Sequence, residues 1–388
     1  MSTIFRHFAV PSFSPAARGE TVLRIATLGM LLGMACSWPL WTNRVSFPLL
    51  PLWGEARLQG AWVTENTKAA VTVLLLLVFL WLPRNRLLHG LALLWTTGLV
   101  LMDLNRLQPW VWFYGLLWLL VWPPKDGAER VGEKWPVLLL PLLSSLYAWG
   151  GFFKLSPYFV EGNWPWFCDA FEWTKPLGAI AVLGYLPGAG ELLLGLALLN
   201  AKIRPWAARL LIALHVLILI FLLKIGWNWV VVPWNLALIG LLWPYLSPKA
   251  LVPPLFSGFD RLSGLKAVLL LFPALSLFSL LPHNLSWKLY DNTQAEAVFY
   301  SKDPVFQSEA LQAVWQRHSY DGSTRLYLGD WCQAELKVPM YPEKRAFVKT
   351  GRYLCGQLAS TKGVSGLWVL EVWPWDKGRE QEEKWPCK

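Results

Sequence analysis

Charged residues are scarce in this chain. They make up 15% of its 388 residues, against roughly 25% in soluble domains. Hydrophobic residues make up 55%, and the mean hydropathy is +0.38. That deficit excludes a water-facing surface over most of the chain. Cysteine is scarce too, at five. None stands in a CxxC or a Cys/His spacing, so no zinc or other metal site is expected. No internal repeat or low-complexity segment stands out. Residues 1–20 carry Arg6, Arg18 and Glu20 and lack the apolar run and small-residue cleavage site of a secretory signal peptide. The first apolar segment is therefore expected to stay as an uncleaved anchor.

What is present is a series of apolar segments. A helix needs about 20 apolar residues to cross the hydrocarbon of a bilayer. Nine candidate spans can be drawn, at residues 22–41, 67–83, 87–103, 108–123, 135–154, 177–200, 206–224, 229–246 and 264–282. The sixth carries Leu186-Pro187-Gly188 in its middle and is the candidate for a kink or a break. Tryptophan is abundant, at 27 residues. Trp38, Trp41, Trp81, Trp122, Trp135, Trp149 and Trp243 sit near span ends, where an indole buries its ring and keeps its N–H wet.

Of the net charge of +10, residues 1–282 hold nine, with 21 Lys/Arg against 12 Asp/Glu. Basic excess between apolar spans is the mark of positive-inside loops, and no basic stripe suited to nucleic acid is present. No nucleic-acid partner is expected. Fourteen of those Lys/Arg fall on the side of the N-terminus, including Arg6, Arg84, Lys125, Arg204 and Lys249. Seven fall on the other: Arg44, Arg57, Lys68, Arg106, Lys154, Lys175 and Lys224. The bias predicts an inner (cytoplasmic) membrane protein with a cytoplasmic N-terminus. An odd number of spans then places the C-terminal domain outside the cytoplasm.

The expected organisation is a multi-pass α-helical membrane domain over residues 1–282 and a small extracytoplasmic α+β domain over residues 283–388. In the latter, residues 296–301 read as a strand. Asp303-Pro304 reads as a helix start, with a carboxylate cap and proline in the first turn, and that helix is expected to reach His318. Residues 325–328 and 335–338 read as two strands, Pro342-Glu343 as a second helix start, and residues 366–373 as a last, alternating strand. The order β-α-β-β-α-β is that of a ferredoxin-like split βαβ. Cys332 and Cys355 are the expected disulfide, with Cys387 near the chain end left free; two buried thiols are the alternative.

Ionisable groups at membrane depth are costly and are functional candidates by default. They are Asp103, Lys154, Glu191, His215 and Lys224, with His89 near a span start. Each has a plainer reading. Lys154 and Lys224 can carry their ammonium groups to the interface. Asp103 and Arg106 stand three apart and make a local ion pair on a helix. His215 is either an interhelical hydrogen-bonding residue or part of a site.

The most informative stretch is residues 147–166, YAWGGFFKLSPYFVEGNWPW. Gly150 and Gly151 permit close helix approach, Lys154 follows, and a Pro-broken aromatic segment with Glu161 reads as an interfacial or re-entrant lid. Gly151-Phe152-Phe153-Lys154-Leu155 followed by Val160-Glu161-Gly162 resembles the signature of the vitamin K-dependent γ-glutamyl carboxylase superfamily, including its bacterial members with an HTTM (horizontally transferred transmembrane) domain. Met102-Asp103-Leu104-Asn105, His215 within HVLILIF, WNWVVVPWN at 227–235, LSWKLY at 285–290 and Tyr341-Pro342-Glu343 are similar to segments of the same group. The resemblance implies that Lys154 is a catalytic base acting on a reduced quinone, which is the candidate cofactor, with His215 or His89 in support. Trp149, Gly151, Trp164, Trp229 and Asn235 are the candidate residues lining a quinone or other isoprenoid lipid; Asp103, Arg106 and Glu191 are structural polar residues. The large lumenal domain of the carboxylase has no counterpart in residues 283–388, which puts carboxylation of a protein substrate in doubt. Two other classes stay open. One is a non-catalytic membrane subunit or lipid-binding scaffold whose outer domain contacts a membrane or extracytoplasmic protein. The other is a transporter, for which inverted repeats are missing.

Overall fold

A computed structural model describes residues 15–58, 64–122, 131–246, 261–302, 309–317, 324–358, 365–373 and 376–387. The first part of the chain is a bundle of helices: α1 (Pro15–Cys36), α2 (Glu65–Trp81), α3 (Arg86–Met102), α4 (Pro109–Leu120), α5 (Val131–Phe153), α6 (Ala181–Ala197), α7 (Arg204–Ile225), α8 (Val231–Leu242) and α9 (Arg261–Leu271). Their boundaries follow local chemistry. Thr64 and Asn85 cap α2 and α3 by accepting the N–H groups of Thr67 and Leu88, satisfying donors that a helix start leaves open. Proline occupies the first turn of α4 and α7, where its missing N–H is no loss. Gly226 ends α7 in the left-handed region at φ 72°, which costs glycine little.

Two of these helices, α1 over Gly19–Cys36 and α7, are long and apolar enough to cross a membrane; α3, α4, α6 and the apolar parts of α5, α8 and α9 are shorter. α6 runs unbroken through Pro187, so the expected interruption of the sixth segment is a proline carried inside one helix. The segment after α5, expected to be irregular, is helical: a π-helical turn at Phe159–Asn163 runs into a short α-helix at Trp164–Cys168. Pro165 falls in the first turn of that short helix, where it does no harm.

Successive helices reverse direction, so the loops gather at two ends. At one, Arg84 in the α2–α3 turn pairs with Glu20 of α1, and Arg209 of α7 donates to the Leu246 carbonyl at 3.3 Å. At the other lies the C-terminal tail. Glu335 of the tail accepts the main-chain N–H groups of Val45, Ser46 and Phe47. Asn105 accepts the Tyr341 N–H at 3.0 Å, and Gln108 donates to the Pro339 carbonyl at 2.9 Å.

The tail keeps part of the expected β-α-β-β-α-β series and departs from it in particular elements. β1 (Glu296–Ser301), β2 (Gln316–Arg317), β3 (Thr324–Tyr327), β4 (Gly366–Trp373) and β5 (Asp376–Pro386) form a sheet in the order β2-β3-β1-β4-β5. β1 pairs antiparallel with both neighbours, as the strand inserted in a split βαβ does. The expected strand at 335–338 is absent, because its first two residues end a helix. Leu328, Trp331, Cys332 and Leu336 are all buried and share one face of α11 (Leu328–Leu336), a 3.6-residue period rather than an alternation of two. α10 (Glu309–Val314) precedes it and α12 (Lys344–Gln357) follows. Asp303-Pro304 and His318, expected to bound the first tail helix, lie outside the described residues, as do Arg6, Lys125 and Lys249. Register puts Phe299 opposite Leu326 and Leu367, and Ala297 opposite Val369. That apolar row packs on α12, where Gly351 sits against Leu367.

The disulfide also differs from expectation. Cys355 joins Cys387, with Cα atoms 5.3 Å apart, and Cys332 is a free, buried thiol. With 328–336 helical, Cys332 points inward, toward Arg44 and Asp103, and cannot reach α12. Cys387 is held beside β4 by its N–H to the Ser365 carbonyl at 2.8 Å, within reach of the end of α12.

Candidate functional site

The site is built on the contact between α5 and α6. A Cβ on Gly151 would lie 2.3 Å from the Leu192 nitrogen and 2.5 Å from the Gly188 oxygen, so only glycine permits this approach. Gly195 does the same one layer down, against Ala148. The contact brings Lys154, just past the end of α5, to Glu191 of α6: Nζ lies 2.7 Å from Oε2 and 3.3 Å from the Gly150 carbonyl. Both side chains are close to fully buried. The ion pair, rather than a route to solvent, takes the ammonium.

Tyr147 stands two turns before Lys154 and projects from the same face of α5. Its hydroxyl meets His215 Nε2 of α7 at 2.6 Å, and His215 Nδ1 meets Asn235 Oδ1 of α8 at 2.6 Å. Asn235 Nδ2 donates to the Val231 carbonyl at 2.6 Å. That last bond fixes the chain of donors. A carbonyl only accepts, so the amide oxygen faces the imidazole, Nδ1 carries the proton, and Nε2 accepts from Tyr147. His215 is thus a neutral, oriented imidazole whose two nitrogens are both used.

Lys154, Glu191, Tyr147, His215 and Asn235 share a pocket of about 180 Å³. Its other walls are apolar and aromatic, among them Phe159, Trp164, Phe167, Trp234 and Tyr290. Among the described lining residues Leu217 of α7 is exposed and the others are buried or half-buried, so the open side lies at this face of α7. Among the described lining residues the charged ones are Lys154 and Glu191. The far end is roofed by Leu289 and Tyr290, from the segment that joins the bundle to the tail. This segment bends sharply: Trp287, Tyr290 and Asn292 all have positive φ, near 60°, and non-glycine residues held there mark a locally determined, strained backbone. Asn163 secures it through the Tyr290 carbonyl at 2.6 Å. Burial pushes the Tyr290 phenol up, so it stays a hydroxyl.

The other sequence candidates lie elsewhere. His89 is buried against Phe79 and Trp122, with Nε2 2.6 Å from the Trp118 carbonyl, and does not line the pocket. Trp149 donates to the Leu270 carbonyl at 2.7 Å, bracing α5 on α9. Trp229 is half exposed. Gly151 shapes the pocket without lining it, and Trp164 lines it while donating to the Leu177 carbonyl at 3.0 Å. Asp103 and Arg106 are not simply each other's partner. Asp103 pairs with Arg44 and accepts the Leu50 N–H, Arg106 pairs with Glu65 at 2.6 Å, and Glu65 also holds Lys68 at 2.5 Å; Arg106 and Asp103 stand 3.8 Å apart. This buried network anchors the loops below the tail. Sequence reading missed Tyr147, Trp234 and Tyr290. The seven-residue spacing of Tyr147 and Lys154 was the available signal for the first; Trp234 and Tyr290 lie in the segments 227–235 and 285–290, which were singled out by resemblance and not as pocket residues.

No protein-family model, no curated protein and no solved structure matches this chain.

Proposed function

We propose that the protein is a multi-pass membrane protein whose pocket holds the head of a quinone or a related isoprenoid lipid. The observation that carries this reading is the pocket itself: apolar walls, one buried ion pair, a fixed imidazole–phenol pair, and an open side at α7, where Leu217 is exposed. A ring-sized head with polar oxygens has partners in Tyr147 and Lys154, and its chain can leave by the open side at α7. Binding sites of this kind combine an apolar lining with a few placed polar groups.

The membrane setting is supported by the outer faces of the bundle. Leu74, Leu94, Leu193, Leu217, Leu223 and Phe278 are exposed by half or more, and a contiguous apolar exterior marks a membrane or a partner surface. Helices α1 to α9 run alternately, which accords with nine crossings; short α4 is an inner helix, with half of its side chains buried. The fourteen-to-seven Lys/Arg bias read from the sequence supports the orientation. Of the seven Lys/Arg on the tail side, Arg44, Lys68, Arg106 and Lys154 are buried in ion pairs with carboxylates. Arg57, Lys175 and Lys224 remain exposed. The bias favours a cytoplasmic N-terminus and an outer tail, and a disulfide in the tail accords with an oxidising compartment.

The resemblance to the carboxylase superfamily extends this reading to a reaction in which Lys154 removes a proton from a bound quinol. Within the pair, Lys154 can release its own proton to Glu191 and then accept another. The deciding measurement is mass spectrometry of lipids retained after purification in mild detergent. A stoichiometric quinone or isoprenoid, lost in Tyr147→Phe, is expected; phospholipid alone would sink the reading.

A further inference from the structure

A second and larger chamber, about 510 Å³, lies between the bundle and the tail. It is walled by the tail-side ends of α4, α7 and α8 and by residues of the joining segment. Val231, Trp234, Leu289 and Tyr290 line both spaces. The two are therefore separated by one layer of side chains, and the second is polar where the first is apolar.

Its chemistry is one-sided. Among the described residues no Asp or Glu side chain lines it. Lys288 does, and no carboxylate in the described residues reaches ion-pair distance of its ammonium. Asp291 and Glu343 are near enough to act on its charge. Asp291, however, is engaged with His283 at 3.4 Å and with Thr293, and Glu343 accepts the His283 main-chain N–H at 3.0 Å. The Lys288 ammonium sits 5.0 Å above the Phe153 ring. Burial draws its affinity for a proton down, and a partly buried cation of this kind gains most from an anion brought to it. The lining amides offer the opposite polarity. Gln108, Asn163, Asn284 and Asn292 have donated N–H groups to main-chain carbonyls. What they have left in excess is amide oxygen, which accepts from hydroxyls. Trp166 and Trp227 add indole surface.

We infer that this chamber binds a hydroxylated oxyanion, a polyol phosphate, with Lys288 against the anionic oxygens and the amide oxygens of Gln108, Asn284 and Asn292 receiving the hydroxyls. Two sources share this chemistry: a soluble polyol phosphate from the tail side, and the head group of a glycerophospholipid.

The test is calorimetric titration of the purified full chain with glycerol 3-phosphate, alongside inorganic phosphate and glycerol. Saturable binding of glycerol 3-phosphate is expected, tighter than either half alone. Lys288→Met should weaken it about tenfold or more, the loss typical of a hydrogen bond to a charged group, while Lys288→Arg stays within about threefold. Should Lys288→Met fail to fold, Gln294, an exposed residue at the rim, decides instead: Gln294→Glu should weaken binding and Gln294→Lys tighten it. Competition by phosphatidylglycerol micelles assigns the site to a lipid head group, and lack of competition assigns it to the soluble anion; both support the inference. No saturable binding, equal affinity in Lys288→Met, or indifference to the charge at 294 overturns it. The retained-lipid measurement on the same sample asks for a quinone or isoprenoid, which this chamber does not call for, so failure of one reading is separable from failure of the other.

Discussion

Lys154 Nζ meets Glu191 Oε2 at 2.7 Å, one turn beyond the point where Gly151 lets α5 and α6 touch backbone to backbone. The charge pair and the glycine are one device: without the close approach the carboxylate does not reach the ammonium.

Gly151→Ala tests that coupling. The added methyl meets main-chain atoms of Leu192 and Gly188 on the facing helix, which cannot rotate aside. The helices must part, at a cost of about 1–3 kcal/mol, and the retained lipid should fall with them. An unchanged melting temperature in detergent would refute this packing. Gly190→Ala, whose Cβ meets nothing, is the control.

Removing one member of the buried pair strands the other. Glu191→Leu or Lys154→Met alone should each destabilise by about 3 kcal/mol, and the double substitution by much less than their sum. A thermal or denaturant double-mutant cycle measures the difference. Simple additivity would mean that the two groups do not meet.

His215 should be a neutral imidazole with its proton on Nδ1. Nitrogen NMR of a histidine-labelled sample distinguishes the tautomers directly. Asn235→Leu removes the acceptor that fixes this one, and Tyr147→Phe leaves Nε2 without its donor, at about 1–3 kcal/mol for a buried group left unpaired. An Nε2–H signal for His215 in the native protein would contradict the network.

Peptide mapping without reductant should recover Cys355 joined to Cys387, with Cys332 alkylated only after unfolding. Cys387→Ser should destabilise the tail by about 3 kcal/mol and leave the bundle's melting unchanged. A Cys332–Cys355 peptide would restore the pairing expected from sequence.

His283 gives the joining segment a pH dependence. Burial holds its imidazole below the usual range, opposed in part by Asp291. The folded state therefore binds this proton less readily than the unfolded state. Its contribution to stability is whole above the unfolded value, about 6.5, and is lost as pH falls toward the folded value. The melting-temperature difference between native protein and His283→Gln should shift in favour of the native protein between about pH 5 and pH 7.5. A difference flat across that window would show that His283 is not buried as described.

The sequence made the bundle legible because helix boundaries are written in local terms. Apolar runs alone place α2, α3 and α4 within a few residues; Thr64, Asn85 and Pro109, which start them, are the local chemistry behind those boundaries. It also made half of the site legible, since a lysine beside two glycines and a histidine inside an apolar run are costly unless used. The tail was harder. Leu328, Trp331, Cys332 and Leu336 carry a helical period, but the alternating residues at 335–338 read as a strand when taken alone, and that one exchange displaced the disulfide with it. Partners were illegible throughout. Nothing near Asp103 points to Arg44, 59 residues away, and nothing near Tyr290 says that it roofs a pocket whose walls are α5 to α8.

That roof has a consequence in time. The ribosome delivers α5 to α8 well before residues 283–295, and for that interval the pocket is a trough without an end. Chains grow from the N-terminus and their parts settle in that order. A ligand present while the last third is being made meets an unfinished vessel; one that arrives later must use the open side at α7. Whether the molecule is loaded at birth or in service thus turns on a few bent residues around Tyr290.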